Sequence, residues 1–161
     1  MKWLFVIAAF ILISSCNTAE DNPTFIYKDE LSGTLIADTI IYDVIIKDTT
    51  LNDFWSKQCL KGVNHKEFID DIFNNIYNEK IQALHFLSEE KLPIKDIEEM
   101  EHEDWFSREA IGKIQFTEIW YYNPNHAVMN KIVLSLTLGV EQYDNNNKLK
   151  GYKPIFKVYL N

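Results

Sequence analysis

Six carboxylates fall within nine positions: Asp96, Glu98, Glu99, Glu101, Glu103 and Asp104. Side chains of this type and density could hold Ca²⁺ loosely or offer a docking face to a basic partner. The same run reads equally as the solvated face of a helix, since acids near a helix N-terminus are favoured by its dipole. His102 follows Glu98 by four residues, about one helical turn, and the pair could supply two metal ligands. Nothing nearby offers a third ligand at a fixed spacing. The remaining histidines stand apart at 65, 85 and 126, and no Gly-rich phosphate loop, His-Glu-x-x-His, Cys-x-x-Cys or Gly-x-Ser-x-Gly occurs. A catalytic carboxylate pair would need a cleft and a cause for one pKa to rise, and the sequence provides neither. The expectation is a non-enzymatic chain with no metal and no cofactor. Arg108 stands alone among fifteen lysines. It is either a buried bidentate partner for a carboxylate of the preceding run or an exposed charge.

Aromatic residues are the other candidates for recognition. Trp120, Tyr121 and Tyr122 are consecutive, with Phe116 upstream and Trp105-Phe106 further back. On a strand such residues form a sugar- or peptide-binding platform or an interface hot spot, or they pack the sheet against its helices. Consecutive strand residues point to opposite faces, so at least one of the three is expected to face away from the core. The interaction candidates are therefore Trp105, Trp120, Tyr121 and Tyr122 among the aromatics, and Asp96, Glu99 and Glu103 in the acidic run.

Several periodic segments would position these residues. Thr34 to Lys47 is dense in Ile, Val, Thr and Tyr, and its Ile-Ile-Tyr-Asp-Val-Ile-Ile centre predicts a strand buried on both faces. Asn64 and Glu67 have capping-box spacing. Behind them Phe68, Ile69, Ile72, Phe73, Ile76 and Tyr77 form one apolar stripe on a helix of about four turns. Gln82 to Leu87 predicts a short strand. Pro93 opens a second helix with Ile94, Ile97 and Met100 or Glu101 on successive turns. Gly112 to Tyr122 is an aromatic-rich strand, Ile132 to Val140 has a period of two, and Tyr152 to Leu160 alternates again after an Asp-Asn-Asn-Asn turn at 144–147. The expected fold class is α+β: an antiparallel sheet of four to five strands, with two helices on one face.

At 161 residues the chain has the length of one domain, and 47% hydrophobic content supplies a core. Its 22 aromatic residues (10 Phe, 8 Tyr and 4 Trp) against 5 Gly and 4 Pro exclude a low-complexity protein. A net charge of −8 argues against nucleic acid as a partner, because phosphate contacts need excess Lys and Arg.

Lys2 followed by the apolar run Trp3 to Ile13 has the make-up of a signal-peptide n- and h-region, too short for a bilayer of ~30 Å. It ends in Ile13-Ser14-Ser15-Cys16, which resembles the bacterial lipoprotein box. The resemblance implies cleavage before Cys16, lipidation of that cysteine and anchoring to the outer membrane, facing either the periplasm or the cell surface. The expected organisation is a signal peptide at 1–15, a tether at 16–33 and a single α+β domain at 34–161. Removing the signal segment takes one lysine and no acid, leaving the rest one charge more negative. Cys59 is then the only thiol, either buried and inert or a site of intermolecular pairing, and burial is the expectation.

Glu118-Ile-Trp120-Tyr121-Tyr122-Asn123 with Val128-Met129 resembles a Glu-x-Trp-aromatic-aromatic-Asp…Val-Met stretch of the GldN/PorN family, the ring proteins of gliding motility and type IX secretion. Gly151-Tyr152-Lys153-Pro154-Ile155-Phe156-Lys157-Val158-Tyr159 is similar to that family's closing strand. The helix-then-strand order of residues 68–97 also follows it. The likeness covers about residues 55–161 and implies an assembly role with an envelope protein as partner and no catalytic residues. Asn123 departs from the family's Asp, and the chain carries its own lipoprotein box, so a related fold in another envelope role is equally implied. The alternative class is a lipoprotein that binds a glycan or small ligand in an aromatic-lined pocket.

Overall fold

A computed structural model describes residues 33–47 and 53–160. Cys16, the segment before it and all but the last residue of the expected tether lie outside the described residues. The elements run β1 (Thr34–Ile45), α1 (Phe54–Leu60), α2 (His65–Tyr77), β2 (Ala83–Leu84), α3 (Ile94–Glu101), a single 3-10 turn at Arg108–Ala110, β3 (Ile111–Asn123), β4 (Val128–Tyr143) and β5 (Leu149–Tyr159). All pairings are antiparallel, in the order β1-β3-β4-β5-β2. The fold is α+β, with the expected three-stranded meander from β3 to β5 at its centre.

The core follows from the two periodicities. On α2 the i, i+3, i+4, i+7 positions Ile69, Ile72, Phe73 and Ile76 are buried, and α3 adds Ile97. They meet Ile111 and Ile114 of β3, Leu136, Leu138 and Val140 of β4, and Phe156 and Val158 of β5. Phe73 is at the centre, edge-on to Phe156 with ring centroids 5.3 Å apart. Truncating such a residue to alanine costs about 3–5 kcal/mol.

The helices cover only part of this face. No residue of β3 beyond Phe116, and none of β4 before Val133, joins the hydrophobic core. The long strands therefore carry a distal end past the helices. The period of two on β4 breaks at Leu134, where Glu118 pairs with Val133 and Thr117 with Ser135. That bulge puts Val133 on the core side and lets Ser135 be buried on the other.

Several expectations are corrected. β1 is an edge strand bonded to β3 alone, with one face half-buried and the other exposed, rather than a strand buried on both faces. Its continuous run of β-branched residues satisfies strand propensity without telling a central strand from an edge. The strand expected over 82–87 is reduced to Ala83–Leu84, because the chain turns back at His85–Glu90 and bridges Leu84 to Lys91. A third helix, α1, adds to the expected two. Asn64 stands at the N-cap of α2 but makes no cap bond to backbone; its amide instead donates to Glu67. Phe68, assigned to the apolar stripe, is exposed at its margin. Cys59 is exposed, because α1 turns Ser56 and Leu60 inward and leaves the cysteine on the flank beside Ser56.

Candidate functional site

The two groups of candidates lie at opposite ends of the sheet. α3 and Trp105 precede the start of β3, whereas Trp120, Tyr121 and Tyr122 lie near its end, about 30 Å further along the strand. Asp96, Glu99 and Glu103 point to solvent, and Glu99 pairs with Lys95 at 3.1 Å. Such exposed pairs contribute little. His102 does not combine with the Glu98 carboxylate; its Nδ1 lies 2.7 Å from the Glu98 backbone carbonyl. Trp105 is half covered by Lys153, whose Nζ sits 3.4 Å from the ring centroid.

The acidic run supplies one structural carboxylate. Glu101 receives Nε and Nη2 of Arg108, the second at 3.0 Å, and Arg108 Nη1 reaches Asp70 at 3.1 Å. The guanidinium lies 4.4 Å over the Phe73 ring, and Tyr77 donates its hydroxyl to Glu101. Of the two readings open for Arg108, the bidentate partner is the one observed. Asp70 and Tyr77 complete the cluster; the sequence reads Tyr77 only as part of the α2 apolar stripe, and neither partnership is visible there because both residues come from another helix. The hydrogen bonds that the guanidinium donates to Glu101 raise the Arg108 pKa further above its ordinary value. Burial works to raise the Glu101 carboxyl, but bonds from Arg108 and Tyr77 outweigh it and hold the pKa low. Burial, then the Glu101 contact, pushes the Tyr77 phenol up to about 12.

At the distal end a buried carboxylate organises the aromatics. Glu118 is 4% exposed; one oxygen accepts from the Tyr42 hydroxyl at 2.8 Å and the other from Trp120 Nε1 at 2.7 Å. Lys131 Nζ sits 4.2 Å over the Trp120 ring. Tyr42 stacks on Phe116 with centroids 5.7 Å apart. Trp120 is thus neither core nor a free platform: its polar edge and one face are already occupied. Tyr121 pairs across to Leu35 and Tyr122 to Thr34. Tyr122 is exposed beside Val128 and Met129. The sequence shows Glu118 only as the first residue of the family-like motif and Tyr42 only within the apolar centre of β1, and neither stands among the site candidates.

A second buried acid, Glu141, accepts from Lys47 Nζ at 2.8 Å and Tyr143 at 2.9 Å through Oε2, while Oε1 has no partner among the described residues. A Cβ at Gly112 would come within 2.8 Å of that oxygen, so glycine makes its seat. Two concavities lie elsewhere. One of about 500 Å³ is lined by Ile76, Ile81, Leu84, Leu92 and Ile94 with Lys80 and Tyr159 at its margin. One of about 270 Å³ lies where Phe86 and Leu87 meet Lys113, Gln115, Gly139 and Tyr152. Neither is lined by Trp120, Tyr121 or Tyr122.

The outer edge of β1 is the longest unpaired backbone among the described residues. It borders the exposed distal end and presents Leu35, Ile36 and Ile41 at 48%, 50% and 59% exposure. No protein-family model matches the chain, and no curated protein matches it.

Proposed function

We propose that the chain is a lipid-anchored protein of the cell envelope whose α+β domain is a non-enzymatic protein-interaction module. Its contact is the β1 edge together with the exposed distal residues around Tyr122. The observation that carries this reading is the edge itself. Proteins that must avoid pairing blunt such edges with charges, prolines or short strands. β1 is 12 residues long and holds only Asp38 and Asp43 against its apolar run, and Asp43 is already engaged by Lys113 and Gln115. An extended partner segment would find backbone hydrogen bonds and alternate side-chain contacts along the regular stretch at residues 40–45, past the two irregularities between Leu35 and Ile40. The lipoprotein box at 13–16 supports the anchor and an outer-membrane location. The likeness to the gliding and type IX secretion ring proteins supplies the setting. A small-ligand or glycan site built on the aromatics is the weaker reading, since Trp120 is engaged by Glu118 and Lys131.

Photo-crosslinking in intact cells tests it. A crosslinking residue at Ile36 or Tyr122 should give a discrete higher-mass adduct, and one at Glu99 should not. Ile41→Lys should abolish the Tyr122 adduct while leaving the urea midpoint nearly unchanged, because Ile41 is exposed. Recovery of uncrosslinked monomer from both distal positions, or adducts from Glu99 alone, would overturn it.

A further inference from the structure

We infer that the sheet face away from the helices carries a binding site for one neutral sugar ring. The antiparallel register builds its floor. Asp43 pairs with Gln115, Gln115 with Thr137, Lys113 with Gly139 and Gly139 with Pro154, and directly paired residues share a face. Ile114 and Leu138, one position along, belong to the core, so this row faces the other way. The turn at 85–90 stands over the row, and Phe86 and Leu87 line, with Tyr152 and Pro154, the cavity of about 270 Å³. A Cβ at Gly139 would lie 3.2 Å from the Tyr152 Cβ, so the glycine keeps the floor clear. The lip is fixed. The Glu89 carboxylate accepts from Lys157 Nζ at 2.7 Å and from the Tyr159 hydroxyl at 3.1 Å, and the His85 N–H donates to the Glu90 carbonyl at 2.8 Å. A preformed concavity with apolar walls and a few polar groups is the form of a small-molecule site. Its volume falls just under the range of about 300–1,000 Å³ for drug-sized ligands, which suits a single ring.

Charge and the open hydrogen-bonding positions select the ligand. Lys113 is the one charged residue lining the cavity among the described residues, and its ammonium is paired with Asp43 at 2.8 Å. The bond from Lys113 holds the Asp43 carboxyl below its ordinary value, so the pair stays ionised with no net charge at neutral pH. An anion would find no unpaired cation in this lining, and a cation no unpaired acid. Neutral hydrogen bonding is what remains. Gln115 donates its amide to Asp43 at 3.0 Å and keeps its carbonyl oxygen open, and the Thr137 hydroxyl makes no bond among the described residues. The Lys113 ammonium has two further protons to donate. Donors and acceptors on the floor, with Phe86, Leu87 and Tyr152 as walls, match a ring that carries hydroxyls at its rim and C–H groups on its faces. That is the chemistry of a pyranose, free or at the end of a glycan. The site is apart from Trp120 and uses none of the distal residues of the β1 contact.

The full chain carrying Cys16→Ser is titrated with methyl β-glucopyranoside and methyl β-galactopyranoside by saturation-transfer NMR. At least one of them should receive saturation at its ring C–H protons. Thr137→Val removes the hydroxyl at a strand position that favours either residue, and should weaken binding about fivefold. Phe86→Ala should weaken it about tenfold. Leu87→Ser, at a lip that is 77% exposed, should weaken it about threefold with the urea midpoint unchanged. Cellobiose and lactose extend the two probes. Binding through the terminal ring alone marks a glycan end and exclusion of both marks a free sugar, and either supports the site. Saturation of neither pyranoside, equal binding by all three variants, or tighter binding of methyl β-glucuronide than of methyl β-glucopyranoside overturns the inference.

Discussion

The guanidinium of Arg108 reaches Glu101 on α3 and Asp70 on α2 while lying over Phe73, so one side chain ties both helices to the turn that leads into β3. Arg108→Met would keep the stacking volume and strand the carboxylates. The side chains are about a quarter exposed, so solvent screens part of the loss. The expected destabilisation is about 2 kcal/mol by urea unfolding, with a coupling of about 1 kcal/mol to Glu101→Gln in a double-mutant cycle. The Glu101 carboxyl is held low in the fold, so its contribution is complete above the ordinary glutamate value of about 4.3 and is lost as pH falls through the lowered value. Arg108→Met should therefore flatten the acid limb of the stability profile. Tyr77 has the opposite sign. Its phenol is raised to about 12, so its stabilisation is full below about pH 10 and disappears between there and 12. Absorbance at the phenolate band should lose its latest-titrating tyrosine in Tyr77→Phe; an unchanged titration curve would contradict the Glu101 contact.

At the scale of elements, what could be read depended on whether the signal was local. The α2 stripe and the β4 alternation are local periodicities, and both elements form where the spacing places them. β1 shows the limit. A continuous apolar run reads as doubly buried, yet its environment is set by which strands flank it, and pairing is non-local. The same holds for Arg108, whose partner Glu101 lay in a visible acidic run while Asp70 and Tyr77 came from a helix thirty or more residues upstream. α1 escaped for a different reason. Seven residues with no buried side produce no apolar stripe, and the pattern that finds helices is the pattern of burial. The residues that break a local rule at β1, an apolar run left on an edge, are the ones on which the proposed function rests.

For the whole molecule, the proposed anchor and the proposed contacts of the domain make separate demands. Several acyl chains at about 0.8 kcal/mol per buried methylene hold a protein essentially permanently, with no contribution needed from the domain. The net charge of −8 works against close approach of the domain to an anionic bilayer. If the anchor operates, acylation alone holds the chain at the membrane and leaves the β1 edge and the cavity under the 85–90 turn to reach their ligands. Cys16→Ser should then move the protein from the membrane pellet to the soluble fraction in cells. Full retention of the Cys16→Ser chain in the pellet after a salt wash would remove the anchor.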